Sequence, residues 1–266
     1  MAILLDSASA VINVGPSTSG PYNGSPAGDI SFAVDCTGAD FLLLVIGSCT
    51  EANMTVTTPQ YNSSNMTLIS DSNNTQDPGG CLSIWYIVNP TTGSNNVTFT
   101  IDTSGAGNCD SYAILAMPMS GVDTTTPIDT ADTVSRGDDG GTMTTYTYSP
   151  SVEDTDMVVL AFASRDGVSG NVRPWTAGAG DSSMMESVTD AVDTTTPSQS
   201  SAVSNSSSTA GTTLYVAYEV ATADGTVSVQ GTMGEADRGT YDGFVINAAS
   251  GGGGSSSSPA AMLMGL

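Results

Sequence analysis

The chain has 266 residues, 39% of them hydrophobic and 6% aromatic, and sets 27 acidic against four basic side chains for a formal net charge of −23. The basic residues are all arginines (Arg136, Arg165, Arg173 and Arg238), and neither Lys nor His occurs. A surface of that sign repels phosphate backbones and anionic lipid, which argues against direct nucleic-acid or membrane partners. The missing His and Lys exclude Ser-His-Asp and Cys-His catalysis.

In chain order, apolar runs alternate with clusters of Gly, Asn, Asp, Ser and Pro, the pattern of strands and turns. Short strands are predicted at 2–5 and 11–14, then ISFAV at 30–34, FLLLVIGS at 41–48, MTVTT at 54–58 and a short one at 66–69. CLSIWYIV at 81–88, NVTFTID at 96–102 and SYAILAMPM at 111–119 complete the first half. The second half offers 142–148, MVVLAFAS at 157–164, TLYVAYEVA at 213–221, TVSVQ at 226–230 and GFVINAA at 243–249. Helical periodicity is missing. Several runs are apolar at consecutive positions, as in strands in the middle of a sandwich or wrapped by long loops, whereas TVSVQ and NVTFTID alternate and predict one wet face. Ten to fourteen strands suit an all-β, jelly-roll-like antiparallel β-sandwich with long polar loops, a single domain over residues 1–249.

The hexapeptide VDTTTP occurs at Val122 to Pro127 and again at Val192 to Pro197. Duplicated domains at that seventy-residue spacing would place a partner of CLSIWYIV at about 151–158, where the chain reads SVEDTDMV. Duplication is therefore not expected, and the hexapeptide reads as a turn-forming loop used twice, its Thr run solvated and its Pro ending it.

The stretch 177–211 is polar and long for a connection inside a compact fold. GGGGSSSS at 251–258 is a flexible linker by composition and ends the domain, leaving residues 250–266 as linker plus the apolar peptide PAAMLMGL. Pro259, Met262, Leu263, Met264 and Leu266 are the candidate partner-binding residues, docking either in cis as an added strand or on a neighbouring subunit or another protein. The N-terminus lacks a basic region before its short apolar run, and FLLLVIG is too short to span a bilayer, so synthesis in the cytoplasm without a signal peptide is expected.

Cys36, Cys49, Cys81 and Cys109 have no zinc-type spacing; buried thiols or one or two disulfides remain open. DSNNTQD at 71–77 alternates oxygen side chains, so Asp71, Asn73 and Asp77 are weak calcium candidates, against the plainer reading as a solvated turn. The six- and twelve-position residues of a calcium loop are wrong, being Gln76 and Leu82. EADRGTYD at 235–242 groups Asp237, Arg238 and Tyr241, a possible glycan contact or a local ion pair. Trp175 lies on a predicted loop, free to stack on a sugar, whereas Trp85 belongs in the core. The acidic residues form no catalytic motif, so no enzyme and no cofactor is expected.

From Asp40 to Ala249 the order of segments resembles a family of β-sandwich virion structural proteins of tailed bacteriophages. The resemblance is carried by FLLLVIGS, by IWYIVNPTTGSNNVTFTI at 84–101, by MSGVDTTTPID at 119–129, and by YEVATADGTVSVQGT followed by GFVINAA. It implies a jelly-roll-like structural protein on the virion surface that decorates or cements the capsid. Its partners would be the major capsid protein or tail components, and it would form a homo-oligomer. A tail-fibre or carbohydrate-binding adhesion module contacting host glycans is the alternative.

Overall fold

The structure is a computed structural model that describes residues 2–6, 8–15, 27–50, 54–72, 79–102, 109–137, 145–166, 175–184, 202–204, 211–233 and 239–250. It is all β and antiparallel, and no helix occurs among these residues. The first half holds β1 (Leu4–Leu5), β2 (Val11–Gly15), β3 (Ala27–Asp35), β4 (Phe41–Thr50), β5 (Thr55–Val56), β6 (Gln60–Tyr61), β7 (Ser64–Asn65), β8 (Thr67–Ser72), β9 (Gly79–Val88), β10 (Ser94–Asp102) and β11 (Cys109–Ser120). The second holds β12 (Ile128–Gly137), β13 (Thr145–Tyr148), β14 (Ser151–Val152), β15 (Met157–Asp166), β16 (Trp175–Ala177), β17 (Ser182–Ser183), β18 (Ala202–Ser204), β19 (Gly211–Val220), β20 (Gly225–Thr226), β21 (Val229–Met233) and β22 (Gly239–Ile246).

The two halves share one strand order. In the first, an inner sheet runs β1-β11-β4-β9-β8, with β2 continuing β1 along the same edge, and an outer sheet runs β3-β10-β6-β7. In the second, the inner sheet is β12-β22-β15-β19-β17, with β18 beside β17, and the outer sheet is β13-β21-β16. First strand beside last, third beside sixth, second beside seventh: this is jelly-roll connectivity, present twice. Register agrees as well as order. Phe41 lies opposite Val88 and Met119, and Met157 opposite Val220 and Ile246.

The expectation that the chain is not duplicated is therefore corrected. Laid out by strand register, DFLLLVIGS at 40–48 matches DMVVLAFAS at 156–164, and LSIWYIV at 82–88 matches LYVAYEV at 214–220. LLDSASAV at 4–11 matches PIDTADTV at 127–134. These offsets are far longer than the spacing of the two hexapeptides, so the hexapeptide was the wrong ruler.

Four layers result, and three apolar cores fill the gaps. Along β4 the side chains of Phe41, Leu43 and Val45 enter the central core between the inner sheets, while Leu42, Leu44 and Ile46 enter the core under the first outer sheet. Along β15, Met157, Val159 and Ala161 face the central core, and Val158, Leu160 and Phe162 face the second outer sheet. All six residues from Phe41 to Ile46 are fully buried. At about 1.5–3 kcal/mol for each large apolar side chain, that strand alone contributes on the order of 10 kcal/mol of gross burial energy. The consecutive apolar runs in the sequence thus mark the two middle sheets.

The packing of the halves is reciprocal, β9 of the first on β22 of the second and β19 of the second on β11 of the first, which gives the chain an internal pseudo-twofold. Small residues let the inner sheets approach at one end. A Cβ on Gly47 would lie 3.2 Å from Ala163 Cβ, and one on Gly80 would run into the Ala163 carbonyl. Polar bonds tie the same end: Thr240 Oγ1 donates to the Gly80 carbonyl, and Ser72 Oγ donates to Asp242 Oδ1 at 2.7 Å, both buried.

Buried polar groups elsewhere are used to lock turns. Tyr61 is fully buried with its hydroxyl amid the carbonyls of Val34, Thr91 and Gly93, and burial together with the neighbouring Cys36 pushes its pKa up to about 12. Gly93 and Gly225 occupy matching positions after β9 and β19, with φ of 91° and 149°, where a side chain would be strained. Cys36 and Cys81 are buried, and Trp85 sits in the core as expected, donating Nε1 to Ser83 Oγ.

Gly80→Ala should lower stability by about 1–3 kcal/mol, because the obstacle is backbone of the opposite sheet and cannot turn aside. Gly38→Asn, at a positive φ with open space around it, should cost less than about 1 kcal/mol. Urea midpoints of the two variants measure the contrast, and equal midpoints would contradict the close approach.

Candidate functional site

The first copy of the hexapeptide is the joint between the two jelly rolls. Asp123 Oδ1 accepts the backbone N–H of Thr125 at 2.8 Å, and its other oxygen accepts the Thr126 hydroxyl at 3.0 Å. These bonds hold the Asp123 carboxyl below the ordinary range. This is an Asx turn, the reason Asp begins the loop. The joint is stitched to the chain leaving β22. Asp123 N–H donates to Asn247 O, Asn247 N–H to Pro127 O, and Ala249 N–H to Gly121 O. The second copy lies outside the described residues.

Matching aspartates brace the ends of matching strands at this face. Asp40, just before β4, accepts the N–H groups of Gly121 and Val122 at 2.8 and 3.3 Å. Asp156, just before β15, accepts those of Ala248 at 2.8 Å and Glu153 at 3.0 Å. By register, Gly121 after β11 is the counterpart of Ala248 after β22. Next to them a hollow of about 540 Å³ is lined by Asp123, Asp129, Glu153 and Asp156 together with Asn247 and Ser250. Among the described residues no three acidic or cysteine side chains converge to hold a metal ion there or elsewhere. The hollow had no linear signal, since its carboxylates come from the joint, from β12 and from the turn before β15.

At the opposite end the fold gathers the stretches that the sequence singles out. The Ser72–Asp242 hydrogen bond joins DSNNTQD to EADRGTYD across 170 positions. Asp71 lies on β8 opposite Ser83; partial burial raises its pKa and a hydrogen bond from Ser83 works against that. Asn73 and Asp77 lie outside the described residues, as do Asp237 and Arg238. Tyr241 is on β22 rather than on a loop, half-buried with its ring 4.6 Å from that of Tyr146. Trp175 is likewise placed on a strand, correcting its reading as a loop residue: it opens β16 opposite Met233, the last residue of β21. In the sequence, Pro174 and the polar residues of NVRPW conceal this three-residue strand. Pro259, Met262, Leu263, Met264 and Leu266 lie outside the described residues.

A carboxyl pair escaped the sequence reading. Asp181, between β16 and β17, accepts the Gln230 N–H at 2.8 Å, and Glu219 on β19 is hydrogen-bonded to it. Burial first, then the Asp181 charge and that hydrogen bond, raise the Glu219 pKa. Their effect is to penalise ionisation where β19 meets the neighbouring turn.

No family model, curated protein or solved structure matches the chain.

A raised folded-state pKa for Glu219 means stability is lost as pH rises from its ordinary value of 4.5 through the folded value. Glu219→Gln should therefore raise the urea midpoint at pH 7 and leave it unchanged below pH 4, roughly the lower edge of the free-glutamate range. A variant no more stable than wild type at pH 7 would contradict the pairing.

Proposed function

We propose that this chain is a non-enzymatic structural protein of a bacteriophage particle, a capsid decoration or cement protein on its exterior. The observation that carries the reading is the doubled jelly roll: its polar buried groups brace turns and strand ends, and its chain leaves the joint face toward a tethered apolar peptide. The sequence resemblance to virion structural proteins supports the same role. A net charge of −23 keeps such a body soluble and discourages non-specific contact with packaged nucleic acid. The major capsid protein or tail components are the partners that this role requires, and the pseudo-twofold body suits attachment to a symmetric assembly.

One observation favours the adhesion reading. The pairing of Trp175 with Met233 brings Trp175 to the point where the chain enters the stretch containing Asp237 and Arg238. An aromatic side chain close in the chain's path to Arg and Asp is the residue set that sugar stacking uses.

Deleting residues 251–266 should remove the protein from purified particles while its β-type circular dichroism is retained, and mass spectrometry of wild-type particles should find hundreds of copies. Absence from wild-type particles, or normal incorporation of the truncated chain, overturns the decoration role. A handful of copies together with glycan-array binding that is lost in Trp175→Ala selects the adhesion module instead.

A further inference from the structure

The geometry points to the free edge of β1 as the resting place of residues 259–266 of the same chain, laid along it as an added strand. The inference rests on the docking role given above to that peptide, and names where the peptide lies before it docks.

Among the described residues β1 is the outermost strand of its inner sheet. Asp6 N–H donates to the Pro118 carbonyl, so by the two-residue alternation of a strand the N–H and C=O of Leu5 point away from β11. Such an edge ordinarily carries a charge, a proline or a bulge as protection. β1 is protected by its shortness, two residues followed by Asp6, but it carries no charge, proline or bulge of its own. Its side chain Leu4 is 63% exposed, and among the described residues the one other large exposed hydrophobic is Leu68. A strand with open backbone groups and an uncovered Leu is a template for an apolar peptide.

The exit of the chain selects the occupant. Ala249 N–H donates to the Gly121 carbonyl, and Gly121 abuts the Ala2 carbonyl, so the chain leaves the body beside the start of β1. Eight Gly and Ser residues, 251–258, separate that point from Pro259. A Gly/Ser chain of that length spans roughly 15 Å, enough for the apolar peptide to turn back over the edge. Leu68 is on β8, four strands away from β1 and so about 19 Å further across the sheet. A tether this short gives an effective concentration in the millimolar range, which favours the chain's own peptide over that of a second copy in dilute solution. The peptide brings Met262, Leu263, Met264 and Leu266 with no charged side chain to desolvate.

Amide hydrogen exchange measured by NMR on the purified full chain and on a chain ending at Ser250 tests this without any particle present. The Leu5 amide should exchange at least ten times faster in the truncated chain, and a synthetic peptide of residues 259–266 added to that chain should restore protection. Leu4→Asp in the full chain should reproduce the faster exchange, while edge amides of β8 stay unchanged in every form. Equal Leu5 exchange in the full and truncated chains overturns the inference. So does protection in the full chain that disappears on dilution, which would assign the edge to a second copy. Neither result bears on whether the protein is found in particles, so failure here is separable from failure of the proposed role.

Discussion

Strands that are apolar on both faces cannot stand against water, and the two inner sheets of this protein meet that constraint by burying one face against each other and the other under an outer sheet. The central core takes Phe41, Leu43 and Val45 from one side and Met157, Val159 and Ala161 from the other. Either jelly roll alone would expose this face as an apolar surface across several strands, a patch of the kind that associates. The halves therefore complete each other, and Gly80 and Ala163 set how closely they can approach. Polar residues follow from the same constraint. At the strand ends Asp40 and Asp156 accept backbone N–H groups, and across the layers Asp242 accepts the Ser72 hydroxyl.

Much of this architecture is legible in the chain because middle strands carry a strong signal. FLLLVIGS, CLSIWYIV, MVVLAFAS and TLYVAYEVA could only be buried ribbons, and each is found as one. Edge strands were harder. IDTADTVSRG is polar and carries no strand signal, yet it forms β12, with a register shift between Asp129 and Val134. TVSVQ at 226–230 predicts a strand ahead of the one that forms: the outer strand β21 runs from Val229 to Met233. The duplication was hidden by a coincidence of wording. VDTTTP is the one repeated string the eye catches, but its first copy is the joint between the repeats, so it cannot measure their period. The true repeat preserves apolar class and spacing, with an Asp before β4 and β15 and a Gly before β10 and within β20, features that strand register makes visible.

The candidate sites were less legible for a related reason. Linear motifs report residues that are neighbours in sequence, whereas the Ser72–Asp242 contact, the Asp181–Glu219 pair and the carboxylates around the joint are assembled by topology. Thinly spread acidic residues in a chain without His or Lys give no hint of which will meet. Charge nonetheless shapes the whole: with 27 acidic residues, carboxylates such as Asp40, Asp123, Asp156 and Asp242 are held by backbone N–H groups and hydroxyls, and the many others repel one another and unwanted partners. Such a body is suited to contact through defined edges and a tethered peptide.

The central claim is that two equivalent jelly rolls are held together by their inner sheets, with the joint a connector only. Placing a site-specific protease sequence within the joint at 124–126, cutting it, and following unfolding by calorimetry tests that claim most directly. The cut protein should remain one particle through native size exclusion, with both fragments present, and should unfold in a single transition. Fragments that separate and melt independently would contradict it.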